Sequence, residues 1–167
     1  MRGLIPTLTG LMMVMVAGPA LAQSATKMGQ HGQWGTYSYQ GKKGKVCYVL
    51  TVPKQSLPAT LDHGSMYFFV SQRPGQAITY EPQFIAGYEM KAGSKVSVTI
   101  GDKKFSMFTG GNSAWVENAA EEPLLIAAMK GGSEMKVAAE SKRGNPTSYS
   151  FSLSGISAAL NSIADCK

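Results

Sequence analysis

The chain has 167 residues, of which 44% are hydrophobic, 16% are charged and 9% are aromatic, and its formal net charge is +6. This composition is that of a globular protein with one domain, and it excludes a disordered, collagenous or coiled-coil chain. Residues 23–61 carry five lysines and no acid, whereas residues 62–167 carry ten basic and ten acidic residues. The positive charge therefore belongs to one part of the chain.

The first predicted element is a secretory signal peptide over residues 1–22. Arg2 provides a positive start, residues 11–16 lie in a short apolar run, and Ala-Leu-Ala at residues 20–22 is a small-x-small cleavage pattern. The alternative is a membrane anchor, but the run is interrupted by proline and glycine and is shorter than the ~20 apolar residues of a membrane span. We therefore expect cleavage near Ala22, a periplasmic, secreted or outer-envelope location, and no transmembrane span in the mature chain.

The mature chain is predicted to consist of a flexible lead-in, the small and polar residues 23–33, and a single domain at residues 34–167. Alternating apolar and polar residues predict a half-buried strand at 147–153 and a tight hairpin at 95–108. The segments 46–51 and 66–70 are apolar on both faces, as expected for central strands. Further strands are predicted near residues 34–39, 84–90, 113–116 and 134–139.

Two segments have the pattern of short helices. The first, near residues 122–130, begins with two glutamates and a proline, which favour a helix N-terminus, and ends at Lys-Gly-Gly. The second, near residues 155–166, has a single apolar stripe. About eight or nine short strands with two short helices and no internal repeat predict a mainly β fold, namely a β-sandwich.

The mature chain contains two cysteines, Cys47 in a predicted strand and Cys166 near the C-terminus. In an exported protein an even number of cysteines favours a disulfide. The apolar stripe of the second helix also places Cys166 on the inward face, where a strand cysteine can reach it. A zinc site that includes His31 and His63 is an alternative, although neither C-x-x-C nor H-x-x-x-H is present, and a pair of free thiols is another.

No residue pattern indicates catalysis, so we predict a non-enzymatic protein with no catalytic, cofactor-binding or metal-binding residues. Ser-x-x-Lys strings begin at Ser24 and Ser133, but neither opens a predicted helix. His31 and His63 lie in segments that we interpret as solvated loops. The Gly-Lys-Lys-Gly-Lys string at residues 41–45 lacks the spacing of a phosphate-binding loop and is predicted to be a hairpin turn. The alternative is an envelope hydrolase whose site includes His63, an acid and a hydroxyl.

Five basic residues are candidate contacts for an anionic partner. The two arginines each lie in a turn at a strand end, where a guanidinium can bind an anion or brace its own turn. The three lysines lie in the predicted hairpin turn, where they can meet anionic lipid or polysaccharide or remain solvated. Neighbouring Tyr37 and Tyr39 also resemble a base-stacking strand, but export makes nucleic acid an unexpected partner. The candidates are Arg73, Arg143, Lys42, Lys43 and Lys45.

A series of short motifs in the mature chain resembles the invasion-associated locus B family of exported alphaproteobacterial proteins. The resemblance implies a periplasmic or envelope protein with an immunoglobulin-like β-sandwich, and the family's name links it to host-cell invasion. It implies no catalytic residues. Many members carry additional cysteines, whereas this chain has two. The motifs lie at Trp34, 45–48, 73–74, 86–88, 98–101, Phe105, 114–115, 127–131, 141–144, 147–150, 153–155, 158–159 and Cys166.

Together, these observations predict an exported binding or accessory module with a role in host-cell invasion or envelope integrity. The expected partner is an envelope or host-surface component, which could be a protein, an anionic lipid or a polysaccharide. The alternative from a different functional class is a periplasmic chaperone or assembly factor that presents a strand edge to envelope proteins.

Overall fold

The computed structural model describes residues 24–166, so the predicted signal peptide lies outside the described residues. The described part of the chain contains eleven β-strands and two α-helices. The strands are β1 (Thr26–His31), β2 (Trp34–Gly41), β3 (Gly44–Thr51), β4 (Gln55–Leu57), β5 (Tyr67–Arg73), β6 (Ile78–Ile85), β7 (Lys95–Ile100), β8 (Lys103–Gly110), β9 (Ser113–Val116), β10 (Glu134–Glu140) and β11 (Pro146–Ser152), and the helices are α1 (Glu122–Gly131) and α2 (Ile156–Ser162).

All eleven strands are antiparallel members of one hydrogen-bonded sheet in the order β1-β2-β3-β5-β6-β9-β8-β7-β10-β11-β4. The sheet folds over on itself, because rings of distant strands meet in its interior. The centroid of Phe151 in β11 lies 6.0 Å from that of Phe68 in β5 and 6.4 Å from that of Phe84 in β6. Two layers thus pack face to face around one core.

The core is built from residues that alternate along the strands, as the period of two requires. Inward-facing Trp34, Phe68, Phe84 and Phe151 are completely buried. Burial of each such side chain contributes roughly 1.5–3 kcal/mol. The Trp34 indole nitrogen also donates a hydrogen bond to the Ser152 carbonyl at 3.0 Å, which ties β2 to β11 across the two layers.

The mainly β fold with two short helices is confirmed; α1 lies where the sequence predicts it, whereas α2 lies within its predicted range but ends at Ser162, before Cys166. The hairpin at residues 95–108 is also confirmed as β7 and β8. The strand expected near residues 84–90 is displaced, since β6 spans Ile78–Ile85. Its proline, Pro82, weakens the strand signal in the sequence. In the structure Pro82 lies opposite Val70 of β5, and β9 pairs only with Gln83–Ile85.

The prediction of a flexible lead-in at residues 23–33 is wrong over residues 26–31, which form β1. Small polar residues can form this strand because it lies at the sheet edge and gains its backbone hydrogen bonds from β2. The turn into β2 depends on Gly32, which has a φ of 55°. A Cβ atom there would lie 2.5 Å from the Ser154 carbonyl oxygen, so glycine is required for this close approach.

The predicted disulfide joins Cys47 in β3 to Cys166 beyond α2, with Cα atoms 5.8 Å apart. The Gln72 side-chain amide reinforces the same junction by donating to the carbonyls of Ile163 and Ala164 at 3.2 and 3.1 Å. The C-terminal segment is therefore fastened to the β3–β5 layer. Neither helix within residues 24–166 has the length and apolar character needed to cross a membrane.

Candidate functional site

The turn between β2 and β3 packs against the turn that follows β5. A Cβ atom at Gly75 would lie 1.9 Å from the carbonyl oxygen of Lys43, so only glycine permits this approach. The contact brings together four of the five predicted anion contacts. We call this group, Lys42, Lys43, Lys45 and Arg73, the basic end.

The lysines and the arginine of the basic end differ in how their charges are satisfied. Lys42 and Lys43 are exposed and Lys45 is half-buried, and none of the three forms an ion pair within residues 24–166. Arg73 is half-buried and forms an ion pair with Glu81 of the neighbouring strand β6. Arg73 therefore braces its own strand pair, and the three lysines carry the uncompensated charge.

Next to the basic end, four rings lie side by side on the outer face of β2, β3 and β5. The Tyr37 and Tyr48 rings are stacked with centroids 5.2 Å apart, the Tyr39 edge meets Tyr48 at 6.3 Å, and Phe69 lies 5.7 Å from Tyr48. Gly35 leaves room for this packing, since a Cβ atom there would lie 2.7 Å from the Tyr37 ring. We call these four residues the aromatic face.

The aromatic face forms the wall of an open cavity of about 360 Å³, which Tyr39, Tyr48 and Phe69 line. Ser71 and Gln83 add polar groups to its lining. Burial, together with the neighbouring Tyr37 and Tyr39, raises the pKa of Tyr48, so its hydroxyl remains protonated at neutral pH. The cavity thus combines aromatic surface with the neutral polar groups of Ser71 and Gln83 and with Arg73, whose guanidinium is paired with Glu81.

Arg143 lies far from the basic end, in a second concavity that we call the polar cleft. Arg73 pairs with Ile78 at the start of β6, whereas the cleft residues Tyr88 and Glu89 follow the end of that strand. An eight-residue strand spans about 25 Å, so the structure does not bring the two arginines together. The cleft has a volume of about 540 Å³ and is lined by Leu61, Asp62, His63, Tyr88, Glu89, Ser141, Lys142, Arg143, Asn145 and Thr147.

His63 forms the buried floor of the polar cleft, so the prediction that it is a solvated loop residue is wrong. Its Nε2 lies 2.9 Å from the Pro58 carbonyl oxygen, which can only accept, so Nε2 donates. Its Nδ1 lies 2.8 Å from the Tyr149 hydroxyl. The Tyr149 hydroxyl also lies 3.0 Å from the Tyr88 hydroxyl, which contacts the Thr147 hydroxyl at 2.6 Å. Sequence gives no signal for this arrangement, because His63 and Tyr149 are 86 positions apart.

The polar groups of the cleft are engaged with one another. Burial raises the pKa of Tyr149, which keeps its phenol protonated as a hydrogen-bond donor. Lys142 Nζ contacts Glu89 Oε2 at 2.8 Å, so one cation of the rim is already paired. The two ring nitrogens of His63 contact a carbonyl and a phenol rather than a carboxylate or a serine hydroxyl. Within residues 24–166, no group of three or more His, Cys, Asp and Glu side chains could hold a metal ion.

The fold and the sequence resemble known proteins in two comparisons. A family model described as "Invasion associated locus B (IalB) protein" matches residues 34–164. The crystal structure of invasion associated protein B from Bartonella henselae is similar with a TM-score of 0.55 and 15% sequence identity, covering 81% of this chain and 94% of that chain. No curated protein matches the chain at a significant level. Since the structural likeness is at low identity, it supports the fold alone.

Proposed function

Because the chain belongs to the invasion-associated locus B family, we propose that it is an exported, non-enzymatic binding module of the cell envelope whose basic end holds an anionic component. The predicted signal peptide and the disulfide support export, since disulfides persist in oxidising compartments. We assign any role in host-cell invasion, to which the family's name refers, to this same surface.

The observation that carries the proposal is the uncompensated charge of Lys42, Lys43 and Lys45. Within residues 24–166, the four ion pairs join other residues, and none includes a lysine of this turn. Three cations on one hairpin attract anions over roughly a Debye length, about 10 Å at 0.1 M salt. The attraction needs no change in the fold, because the turn is already held against Gly75.

The experiment is cell fractionation of a charge-reversal variant, Lys42→Glu/Lys43→Glu/Lys45→Glu. We expect the wild-type protein to remain with washed envelopes at low salt and to be released as sodium chloride is raised. The variant should be released already at low salt, because its turn repels anions. The matched control reverses three exposed lysines on strands of the other part of the sheet, Lys103, Lys104 and Lys136, and should remain bound.

Two results would contradict the proposal. One is a charge-reversal variant that stays with the envelope as firmly as the wild-type protein does. The other is wild-type protein that fractionates with the cytoplasm. Thermal unfolding of both variants checks that they are folded, and we expect midpoints close to wild type since each surface substitution away from a hydrogen bond or ion pair usually changes stability by only about 0.5 kcal/mol.

A further inference from the structure

We infer that the anionic component is an acidic polysaccharide, which lies across the aromatic face and reaches the lysines of the basic end. This inference rests on the proposed function, in which the basic end holds an anionic envelope component. It adds the chemical class of the ligand and the surface that recognises it.

The aromatic face lies on the outside of the sheet, although clustered aromatic rings are more typical of a hydrophobic core. Outer faces of antiparallel layers are usually polar, and contiguous apolar surface on them marks interaction sites. The alternation that buries Phe68 and Val70 turns Phe69 outward, and the same alternation in β3 exposes part of Tyr48. Both rings remain only half-buried among the residues of the described structure.

The cavity beside these rings has the two kinds of surface that a sugar ring requires. The C–H groups on a pyranose face are weakly positive and pack on the negative face of an aromatic ring. The hydroxyl groups at the sugar edge need hydrogen-bond partners when they leave water. Ser71 and Gln83 line the cavity, and their side chains form no hydrogen bonds with other residues of the described range. Its volume of about 360 Å³ is at the small end of ligand sites.

The positions of the lysines favour an acidic polymer over a neutral sugar. Lys42 follows Tyr39 by three residues, so its backbone lies within about 10 Å of that tyrosine. Lys27 of β1 is paired directly with Tyr37, and directly paired residues project from the same face of a sheet. Cations therefore flank the rings on two sides. A chain of several acidic sugars reaches both the rings and the lysines, whereas a single sugar reaches only one of them.

The test measures binding of the full mature protein to two acidic polymers of different linkage, polygalacturonate and alginate, by isothermal titration calorimetry. We expect both to bind, and fully methyl-esterified polygalacturonate and monomeric galacturonate to bind at least about tenfold more weakly, because each lacks part of the contact. Two other polyanions serve for comparison. One is a vesicle made of equal parts of phosphatidylglycerol and phosphatidylcholine, and the other is a single-stranded oligothymidylate. We expect weaker binding to both.

Variants of the aromatic face separate ring stacking from charge. Tyr48→Ala and Tyr39→Ala should weaken polygalacturonate binding by about tenfold. Tyr48→Phe keeps the ring and should bind within about twofold of wild type. The matched control is Phe108→Ala, which removes an exposed ring that does not line the cavity. Thermal unfolding reports whether each variant is folded, and Tyr39→Ala provides the decision if Tyr48→Ala unfolds.

Failure of both acidic polymers to bind, undiminished binding by Tyr39→Ala, or equal affinity for the methyl ester would overturn the inference. So would binding to the vesicles or the oligothymidylate as tight as to the polymers. If lysine reversal still releases the protein from envelopes in any of these cases, the proposed function stands and only the polysaccharide assignment fails. If the polymers bind through the rings but lysine reversal leaves envelope retention unchanged, the proposed function fails instead.

Discussion

The basic end and the polar cleft share two features but differ in how their polar groups are used. Each includes one arginine from a strand-end turn, and each lies beside a concave surface with tyrosines in its wall. In the polar cleft, His63, Tyr88 and Tyr149 satisfy one another through hydrogen bonds. At the basic end the lysines and outer rings have no such closed network among the described residues. The closed network of the polar cleft stabilises the fold, whereas the lysines and outer rings remain available to a ligand.

Arg73 shows that proximity to a candidate site is not enough to make a residue available. Its guanidinium forms an ion pair with Glu81 on the adjacent strand, so a ligand would have to displace an existing partner. Arg143 has an exposed side chain in the polar cleft, but its surroundings include Asp62 and Glu89, whose carboxylates oppose an anionic ligand. The lysine turn differs from both arginines, since its three lysines form no ion pair within residues 24–166 and no acid occurs between residues 23 and 61.

The largest expected effect comes from removing the disulfide, which fastens the C-terminal segment to the layer that carries the aromatic face. Cys47→Ala/Cys166→Ala should lower the free energy of unfolding by up to about 4–5 kcal/mol, because the bond closes a loop with a sequence separation of 119. Urea unfolding of the variant, and of wild type with and without reductant, measures this loss. Hydrogen exchange should show weaker protection in β3 than around the polar cleft. Unfolding that is insensitive to reductant would contradict the prediction.

A smaller effect is expected from Tyr149→Phe, which opens the hydrogen-bond network of the polar cleft. The lost hydroxyl contacts both His63 and Tyr88, so the free energy of unfolding should fall by about 1–3 kcal/mol. Tyr39→Phe is the matched control at the aromatic face, where the hydroxyl has no hydrogen-bond partner among the described residues, and should change stability by less than about 0.5 kcal/mol. Urea unfolding of both variants provides the measurement. Equal losses would remove the distinction between the two regions.

The smallest expected effect is a change in the pKa of Glu122, whose carboxyl group interacts with the positive charge of Arg73. Burial raises the pKa of Glu122, and Arg73 opposes this rise, so Arg73→Ala should raise the pKa of Glu122 further. Carboxyl titration by NMR measures the change, and Arg143→Ala, at the other end of the molecule, should leave it unaltered. A carboxyl whose folded pKa lies above its unfolded value loses stability as pH rises through that folded pKa. The stability cost of Arg73→Ala should therefore be smaller in acid than at neutral pH, and a Glu122 titration identical to wild type would contradict the prediction.

Much of the fold could be predicted because its signals are local. Alternation at residues 147–153 indicates β11 without reference to any other segment, and a glutamate pair followed by Pro123 marks the start of α1. The strand β1 was not predictable in this way. Its residues lack an apolar face, and only the hydrogen bonds with β2 make it a strand.

For the aromatic face, the apolar pattern of the sequence correctly predicted central strands but did not predict that one face of each strand is exposed. The segments 46–51 and 66–70 are apolar on both faces, which fits central strands, and both are central in the sheet. However, only one face of each is covered by the opposite layer. The other face presents Tyr48 and Phe69 to the outside, and whether a second layer covers a face depends on the whole fold.

By itself, the sequence determined the β class, the two helical segments and the acid-free segment that carries the lysines, because each depends on spacing or composition within a short segment, and it favoured a disulfide over a zinc site or free thiols. Only the tertiary structure decided that Gly75 supports the lysine turn, that His63 is buried against Tyr149, and that the two arginines lie at different ends of β6. These facts arise from contacts between residues that are tens of positions apart, and their free energies depend on packing that no local pattern encodes.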